Sequence, residues 1–172
     1  PKNKSTRPLK DLTKESIFNI IKHSNKFNLE IEKSNILDLF SGVGSFGLEC
    51  LSRGALRVTF VENYKEVLPI LKKNILNLNS LSNSKVIEKD IFKELNFDNL
   101  KEKFDLVFID PPYKEKNLNE LLDKIIRSNI IKKNSIFIIH RHKNENDKLP
   151  VNFKIIERKI YGISKVIFGY YF

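Results

Sequence analysis

The chain has 172 residues, 41% of them hydrophobic and 10% aromatic, which is enough for one domain (1–172) with a substantial core. Its formal net charge of +10 favours a polyanionic partner such as nucleic acid, although a lysine-rich composition alone produces the same excess. The single cysteine excludes an intrachain disulfide and a cysteine zinc site. A membrane-spanning helix needs about 20 consecutive apolar residues, and no apolar run here approaches that length. We therefore expect a cytoplasmic protein without membrane contact.

The predicted elements begin with a basic, polar segment, residues 1–10, which we expect to be mobile. An amphipathic helix is predicted at about 11–24. Beyond it, strand-like and helix-like segments alternate, which predicts a mainly parallel sheet with helices on both faces. The last two strands flank Gly162 and predict an antiparallel hairpin. The predicted strands are 35–40, 57–62, 84–89, 104–110, 135–140, 152–160 and 163–171, and the further helices are 45–53, 64–78 and 117–127, with a weaker one within 91–102.

A glycine-rich turn, DLFSGVGSFG (38–47), joins the first predicted strand to the next helix. Gly42, Gly44 and Gly47 allow a tight turn and the close approach of a ligand to the backbone. This spacing also fits dinucleotide sites, where the helix N-terminus holds a pyrophosphate. Asp38, at the strand end, would repel a pyrophosphate and favours a cationic ligand instead.

Two further acidic residues follow the next strands. Glu62 ends the second predicted strand and is placed to accept both ribose hydroxyls of an adenosine, a role that NAD enzymes share. Asp90 follows the third strand and is placed to accept from an adenine amino group, with Ile91 or Phe92 against the ring. Because three acids lie at the carboxyl ends of three strands, they predict a site for an adenosine-containing cofactor.

The tetrapeptide DPPY (110–113) follows an apolar run, FDLVFI, that predicts a buried strand. Two successive prolines end the strand abruptly, at the sheet edge where open α/β sheets bind ligands. The Asp110 carboxylate and the Pro111 carbonyl can accept the two N–H bonds of an exocyclic amino group, and Tyr113 can stack on its ring. Pro112 completes the motif. An isolated Asp-Pro is equally consistent with a plain turn, and the other acids favour the site.

In this order and spacing, DLFSGVGSFGLE, FVE, EKD and DPPY resemble the class I S-adenosylmethionine-dependent methyltransferases. The runs RP…ESIFN (7–19) and LDLFSGVGSFGLECLSRGA (37–55) are similar to the bacterial 16S ribosomal RNA guanine-N2 methyltransferases, and the similarity extends over essentially the whole chain. It implies a Rossmann-like fold with a seven-stranded, mainly parallel sheet and a C-terminal antiparallel hairpin. The family commonly has an acidic residue at the end of the fifth strand, where this chain has His140-Arg141-His142, which we interpret as a polar strand exit rather than a contact to phosphate or base.

The resemblance implies methylation of a guanine N2 in small-subunit ribosomal RNA, with S-adenosyl-L-methionine as cofactor and ribosomal RNA or the small subunit as partner. We expect a monomer. Asp110, Pro111, Pro112 and Tyr113 would be the catalytic residues, and no residues indicate a metal site. The implied cofactor-binding residues are Asp38, Phe40, Gly42, Gly44, Gly47, Glu62, Asn63, Asp90 and Ile91. The candidate RNA-binding residues are Arg7, Lys10, Lys14, Lys114 and Lys116.

Three other functions remain open at the level of sequence. A DNA adenine-N6 methyltransferase shares DPPY, but such enzymes usually carry a further target-recognition region. A non-catalytic RNA-binding or assembly factor could keep the same fold, although the intact set of acids argues against lost catalysis. A nicotinamide oxidoreductase would leave Asp38 and DPPY without a role.

Overall fold

The computed structural model describes residues 11–172, which form seven strands and four α-helices. Residues 1–10, which are predicted to be mobile and include the candidate RNA-binding residues Arg7 and Lys10, lie outside the described range. The helices are α1 (Asp11–His23), α2 (Ser45–Ser52), α3 (Leu68–Asn77) and α4 (Leu118–Arg127). The strands are β1 (Asn35–Leu39), β2 (Arg57–Val61), β3 (Ser84–Ile87), β4 (Phe104–Ile109), β5 (Ile131–His142), β6 (Phe153–Tyr161) and β7 (Ser164–Tyr171).

The strands form one sheet in the order β3-β2-β1-β4-β5-β7-β6. Strands β1 to β5 run parallel, whereas β7 is antiparallel to both β5 and β6. Gly162, at φ +59°, lies in the left-handed region in the turn between β6 and β7, where a side chain would be strained. The predicted parallel sheet and C-terminal hairpin are therefore confirmed.

Apolar residues alternate between the two faces of the sheet, as the period of a strand requires. In β1, Ile36 packs with α1, α2 and α3 on one face, and Leu37 packs with α4 on the other. The lone cysteine, Cys50 of α2, is fully buried in the first of these layers. Both faces of the central strands are covered, which explains why their sequences are continuously hydrophobic.

The weak helix predicted within 91–102 is wrong: the segment contains only a 3₁₀ turn, Phe97–Asn99. Asp90 and Asn96 divert the backbone donors that an α-helix would need. Asp90 Oδ1 accepts from the N–H groups of Phe92 and Lys93, and Asn96 accepts from the N–H of Asp98. Short polar side chains compete with helices in this way.

The chain order creates a crevice at one edge of the sheet. From β1 the chain proceeds outward to β2 and β3, and then returns to place β4 on the other side of β1. Open α/β sheets bind ligands beyond the carboxyl ends of the strands at such a reversal. Within residues 11–172, no helix has the length and apolar character needed to cross a membrane.

Candidate active site

The carboxyl ends of four adjacent parallel strands bring together residues that are far apart in the chain. Asp38 lies near the end of β1, Glu62 directly follows β2, Asp110 directly follows β4, and His140 lies near the end of β5. Asp110 and Glu62 are both close enough to Asp38 to disfavour its ionisation. The structure therefore gathers three of the predicted acids into one cluster.

The turn after β1 is shaped by residues in the left-handed region. Phe40 (φ +58°), Gly42 (φ +54°) and Gly44 (φ +86°) all have positive φ, which is uncommon for a residue as bulky as phenylalanine. The Ser41 hydroxyl donates to the Asp38 carbonyl at 2.6 Å and closes the turn. A Cβ on Gly42 would meet no atom within 4 Å, so the space beside this backbone is open.

Asp38 is buried, with 1% of its surface exposed, and no described cation pairs with it. Its Oδ2 accepts from the Gly47 N–H at 3.0 Å, which partly offsets the cost of burial. Burial raises the pKa of Asp38 well above its usual value, and the negative charges of Asp110 and Glu62 raise it further. A Cβ at Gly47 would lie 2.3 Å from the Phe60 ring and 2.8 Å from Asp38 Oδ2, so only glycine permits this close approach.

Glu62 links the turn after β1 to the turn after β2. Its Oε2 accepts from the Gly42 N–H at 2.7 Å, and its Oε1 accepts from the N–H groups of Asn63 and Tyr64 at 2.9 and 2.8 Å. Three backbone N–H groups therefore hold the side chain in place without a ligand. The predicted contact to ribose hydroxyls stays a prediction, and it would use the remaining lone pairs of this carboxylate.

Asp90 is connected to the same cluster through Asn63, whose side-chain amide donates to Asp90 Oδ2 at 3.2 Å. Ile91 is buried in the core with 5% of its surface exposed, whereas Phe92 is only half-buried. The Phe92 and Phe40 ring centroids are 6.1 Å apart. Of the two residues predicted to face an adenine ring, Phe92 therefore offers more accessible ring surface.

The tetrapeptide leaves β4 at the same edge. The Asp110 N–H donates to the Leu39 carbonyl at 3.3 Å, which ties the start of the motif to the end of β1. Asp110 Oδ1 lies 2.7 Å from His140 Nδ1, in a hydrogen bond that leaves Oδ2 for another donor. Pro111 is buried and Pro112 is exposed, and the half-buried Tyr113 ring contacts His142 edge-on at 5.4 Å between centroids.

Sequence reasoning missed the contribution of β5. The sequence predicts a polar strand exit at His140, Arg141 and His142, yet each of them contacts the segment that begins with the tetrapeptide. Arg141 has no exposed surface. An arginine directly after the run IFIIH would have been a signal, because a buried arginine requires an acidic partner, and Asp147 follows six residues later.

The candidate RNA-binding lysines that the structure describes are spread over two regions. Lys14 lies on α1 and pairs with Asp11 at 3.5 Å, whereas Lys116 pairs with Glu145 at 3.1 Å. Lys114 is exposed directly after the tetrapeptide. Their contact with RNA stays a prediction.

The strand order, the acids at the ends of β1 and β2, and the DPPY segment after β4 define a class I methyltransferase fold. A family model described as "Conserved hypothetical protein 95" matches residues 1–170. The ribosomal RNA small subunit methyltransferase D of Buchnera aphidicola subsp. Baizongia pistaciae (strain Bp) is 33% identical over 157 residues, which are 91% of this chain and 76% of that protein.

Two further comparisons agree. A putative rRNA methyltransferase of Bacillus subtilis (strain 168) is 34% identical over 166 residues, 94% of this chain and 86% of that protein. The crystal structure of a putative methylase from Haemophilus influenzae is 31% identical, has a TM-score of 0.71, and is matched over 92% of this chain and 96% of that chain. The chain belongs to the "Conserved hypothetical protein 95" family, and its similarity to the ribosomal RNA small subunit methyltransferase D proteins places it among their homologues.

Proposed function

We propose that the protein transfers a methyl group from S-adenosyl-L-methionine to the exocyclic N2 of a guanine in small-subunit ribosomal RNA. The observation that carries the proposal is the cluster of Asp38, Glu62 and Asp110, in which a buried acid without a described cationic partner lies on the strand paired with the one that DPPY follows, and Glu62 binds the turn after β1. The names of the relatives, ribosomal RNA small subunit methyltransferases, support methyl transfer to this RNA.

The cofactor side of the proposal depends on the chemistry of the acids. Asp38 would attract the cationic part of the ligand, and Glu62 and Asp90 would accept from the ribose hydroxyls and the adenine amino group. The open space beside Gly42 and the half-buried ring of Phe92 fit an extended ligand lying over the turn after β1. When bound, S-adenosyl-L-methionine supplies a methyl group activated by a sulfonium sulfur.

The base side of the proposal depends on DPPY. The amino nitrogen of guanine is a weak nucleophile, because its lone pair is delocalised into the purine ring. Asp110 Oδ2 and the Pro111 carbonyl would accept its two N–H bonds and orient the lone pair, while Tyr113 stacks on the base. The amino nitrogen would take the methyl group in exchange for one of its protons, and Asp110, as the carboxylate of the motif, would accept that proton.

We extend the proposal to the surroundings of the site. Lys14, Lys114 and Lys116 would contact phosphates, together with Arg7 and Lys10, so RNA affinity should fall steeply as salt concentration rises. A flat response to salt would contradict this basic surface. The chain would act as a single domain and as a monomer in the cytoplasm, and analytical ultracentrifugation tests the oligomeric state.

The deciding experiment is methyl transfer from labelled S-adenosyl-L-methionine to three separate acceptors: small ribosomal subunits, naked ribosomal RNA and DNA. The acceptors are digested to nucleosides and identified by mass spectrometry. We expect N2-methylguanosine from one or both RNA samples. N6-methyladenine from DNA would refute the proposed substrate, and no transfer to any acceptor would favour a non-catalytic binding role.

A further inference from the structure

Three consecutive residues at the end of β5 contact residues 110–115, the DPPY segment, from both faces of the sheet. Neighbouring strand residues point to opposite faces, so His140 and His142 share a side and Arg141 takes the other. His140 Nδ1 holds Asp110 Oδ1 at 2.7 Å, and the His142 ring meets the Tyr113 ring edge-on. The two side chains that the proposed function assigns to the base are thus each contacted by a histidine of β5.

The Arg141 side chain contacts the backbone of the same segment. Its Nη1 donates to the Pro112 carbonyl at 3.3 Å and its Nη2 donates to the Glu115 carbonyl at 2.8 Å. The guanidinium also binds Asp147 in a bidentate pair, with Nε–Oδ2 and Nη2–Oδ1 distances of 2.8 and 2.7 Å. The planar guanidinium can therefore donate to one carboxylate and two carbonyls at once, an arrangement of donors that a lysine ammonium lacks.

The loop that carries Asp147 is itself fixed. Lys165 of β7, the register partner of Arg141, donates to the Glu145 carbonyl, and Lys116 pairs with the Glu145 carboxylate at 3.1 Å. These contacts join the loop after β5 to the segment that follows DPPY, with Arg141 buried between them. Arg141 is thus held from one side by Asp147 and binds the DPPY segment on the other.

Stability alone is a weak explanation for this arrangement. Burying a charged pair has a large desolvation cost, and apolar residues of similar volume often serve a core equally well. Here, however, the guanidinium has a carboxylate and two backbone carbonyls as acceptors, so it fixes the segment's backbone as well as its own position. Methyl transfer needs such a fixed backbone, because a displacement of about 1 Å at a reacting group can lower a rate by about 100-fold.

We propose that His140, Arg141 and His142 are positioning residues for methyl transfer, and that Arg141 sets the path of the DPPY segment by binding the carbonyls of Pro112 and Glu115. The proposal rests on the proposed function and adds to it a second strand, β5, on which catalysis depends. It assigns to the three residues no contact with the cofactor.

The test compares Arg141→Lys with Arg141→Met and with a control, Ser135→Ala, on the same strand. Ser135 is buried at the opposite end of β5, where its hydroxyl donates to the Phe104 carbonyl at 2.7 Å. Arg141→Lys keeps the charge and a bond to Asp147 and loses the fork. We expect it to melt at a higher temperature than Arg141→Met, yet to show a kcat about 100-fold below wild type, with the Kd of S-adenosyl-L-methionine within twofold. The control should lower Tm by about 2–4 °C and leave kcat within twofold.

Hydrogen exchange gives a readout that does not need activity. In Arg141→Lys, the backbone amides of 113–117 should exchange faster than in wild type, while those of β1 should not change. Should Arg141→Lys fail to fold, Asp147→Asn takes its place in the test, because it keeps the shape of the carboxylate and removes the charge that holds Arg141. We expect it to lower kcat by less than Arg141→Lys and to leave the Kd of the cofactor unchanged.

The two hypotheses fail in different ways. A wild-type protein that methylates no RNA refutes the proposed function, and hydrogen exchange then still tests whether Arg141 fixes the segment. A wild-type level of kcat in Arg141→Lys, or an equal loss of kcat in the control, overturns the positioning role. Unchanged exchange at 113–117 overturns it as well.

Discussion

Asp105 and Asp110 belong to the two ends of the same strand, β4, and their surroundings differ. At the amino end, Asp105 accepts from the Asn35 N–H at 2.9 Å and from the Lys132 ammonium at 2.7 Å, so its charge is balanced. At the carboxyl end, Asp110 binds a histidine and follows the strand that pairs with the one carrying Asp38. One edge of the sheet neutralises its acid, and the other concentrates negative charge.

The difference separates stability from function. A neutralised acid at the amino edge strengthens the contact between β1 and β4 at little electrostatic cost. A cluster of like charges destabilises the folded protein, and such arrangements typically occur at functional sites. Substitutions at the carboxyl edge should therefore lower activity or binding, whereas substitutions at the amino edge should lower stability and leave activity unchanged.

The largest effect is expected from Asp110→Ala. Removing the acceptor of the amino group should lower kcat by about 10²–10⁴-fold, the usual contribution of a positioned acid or base. Cofactor affinity, measured by isothermal titration calorimetry, should stay within a few fold, because the residues proposed to bind the cofactor lie at the carboxyl ends of β1, β2 and β3. Unchanged turnover in this variant would exclude Asp110 from the chemistry.

Asp38→Asn should separate binding from stability at the same edge. The asparagine can still accept from the Gly47 N–H but carries no charge, so a cationic cofactor should bind about 10–100-fold more weakly, as expected for the loss of a bond to a charged group. Titration calorimetry measures this loss. A cofactor affinity equal to that of wild type would show that Asp38 does not face the positive charge.

The pH dependence of the same residue has a defined sign. Because burial raises the pKa of Asp38 in the folded protein, its contribution to stability is present below the unfolded value of about 3.9 and is lost as pH rises through the raised value. The cofactor-free wild type should therefore lose stability relative to Asp38→Asn as pH increases, which melting curves at several pH values will show. Binding a cation should release a proton, so cofactor affinity should rise with pH over the same range.

Tyr113 tests the base side of the cluster. Tyr113→Ala should weaken RNA binding by about 1–3 kcal/mol through lost stacking, whereas Tyr113→Phe keeps the ring and should bind nearly as well as wild type. Fluorescence anisotropy with labelled RNA measures both. If titration instead shows lost cofactor binding in Tyr113→Ala, the division of the site between cofactor and base is wrong.

The local parts of this site could be predicted from the sequence, and the parts that depend on distant contacts could not. Asp38 and Asp110 each follow an apolar run and precede glycines or prolines, so their place at a strand end was evident. His140 contacts Asp110 across 30 residues of chain, and no local pattern indicates which strand lies beside β4. The predicted helix within 91–102 failed for a related reason, since its apolar spacing was outweighed by Asp90 and Asn96 binding the backbone.

The smallest effect on catalysis is expected from Asp105→Ala, the matched control for Asp110→Ala on the same strand. It removes the acceptor of the Asn35 N–H and the partner of Lys132, and should lower the free energy of unfolding by about 1–3 kcal/mol. Because residues 106–109 of β4 pair with both β1 and β5, this loss should not reach the carboxyl edge. Denaturant unfolding measures the first effect, and kcat with the Kd of the cofactor, both within twofold of wild type, measures the second. A large fall in kcat here would mean that the two ends of β4 are coupled, and that charge balance at the amino edge also serves catalysis.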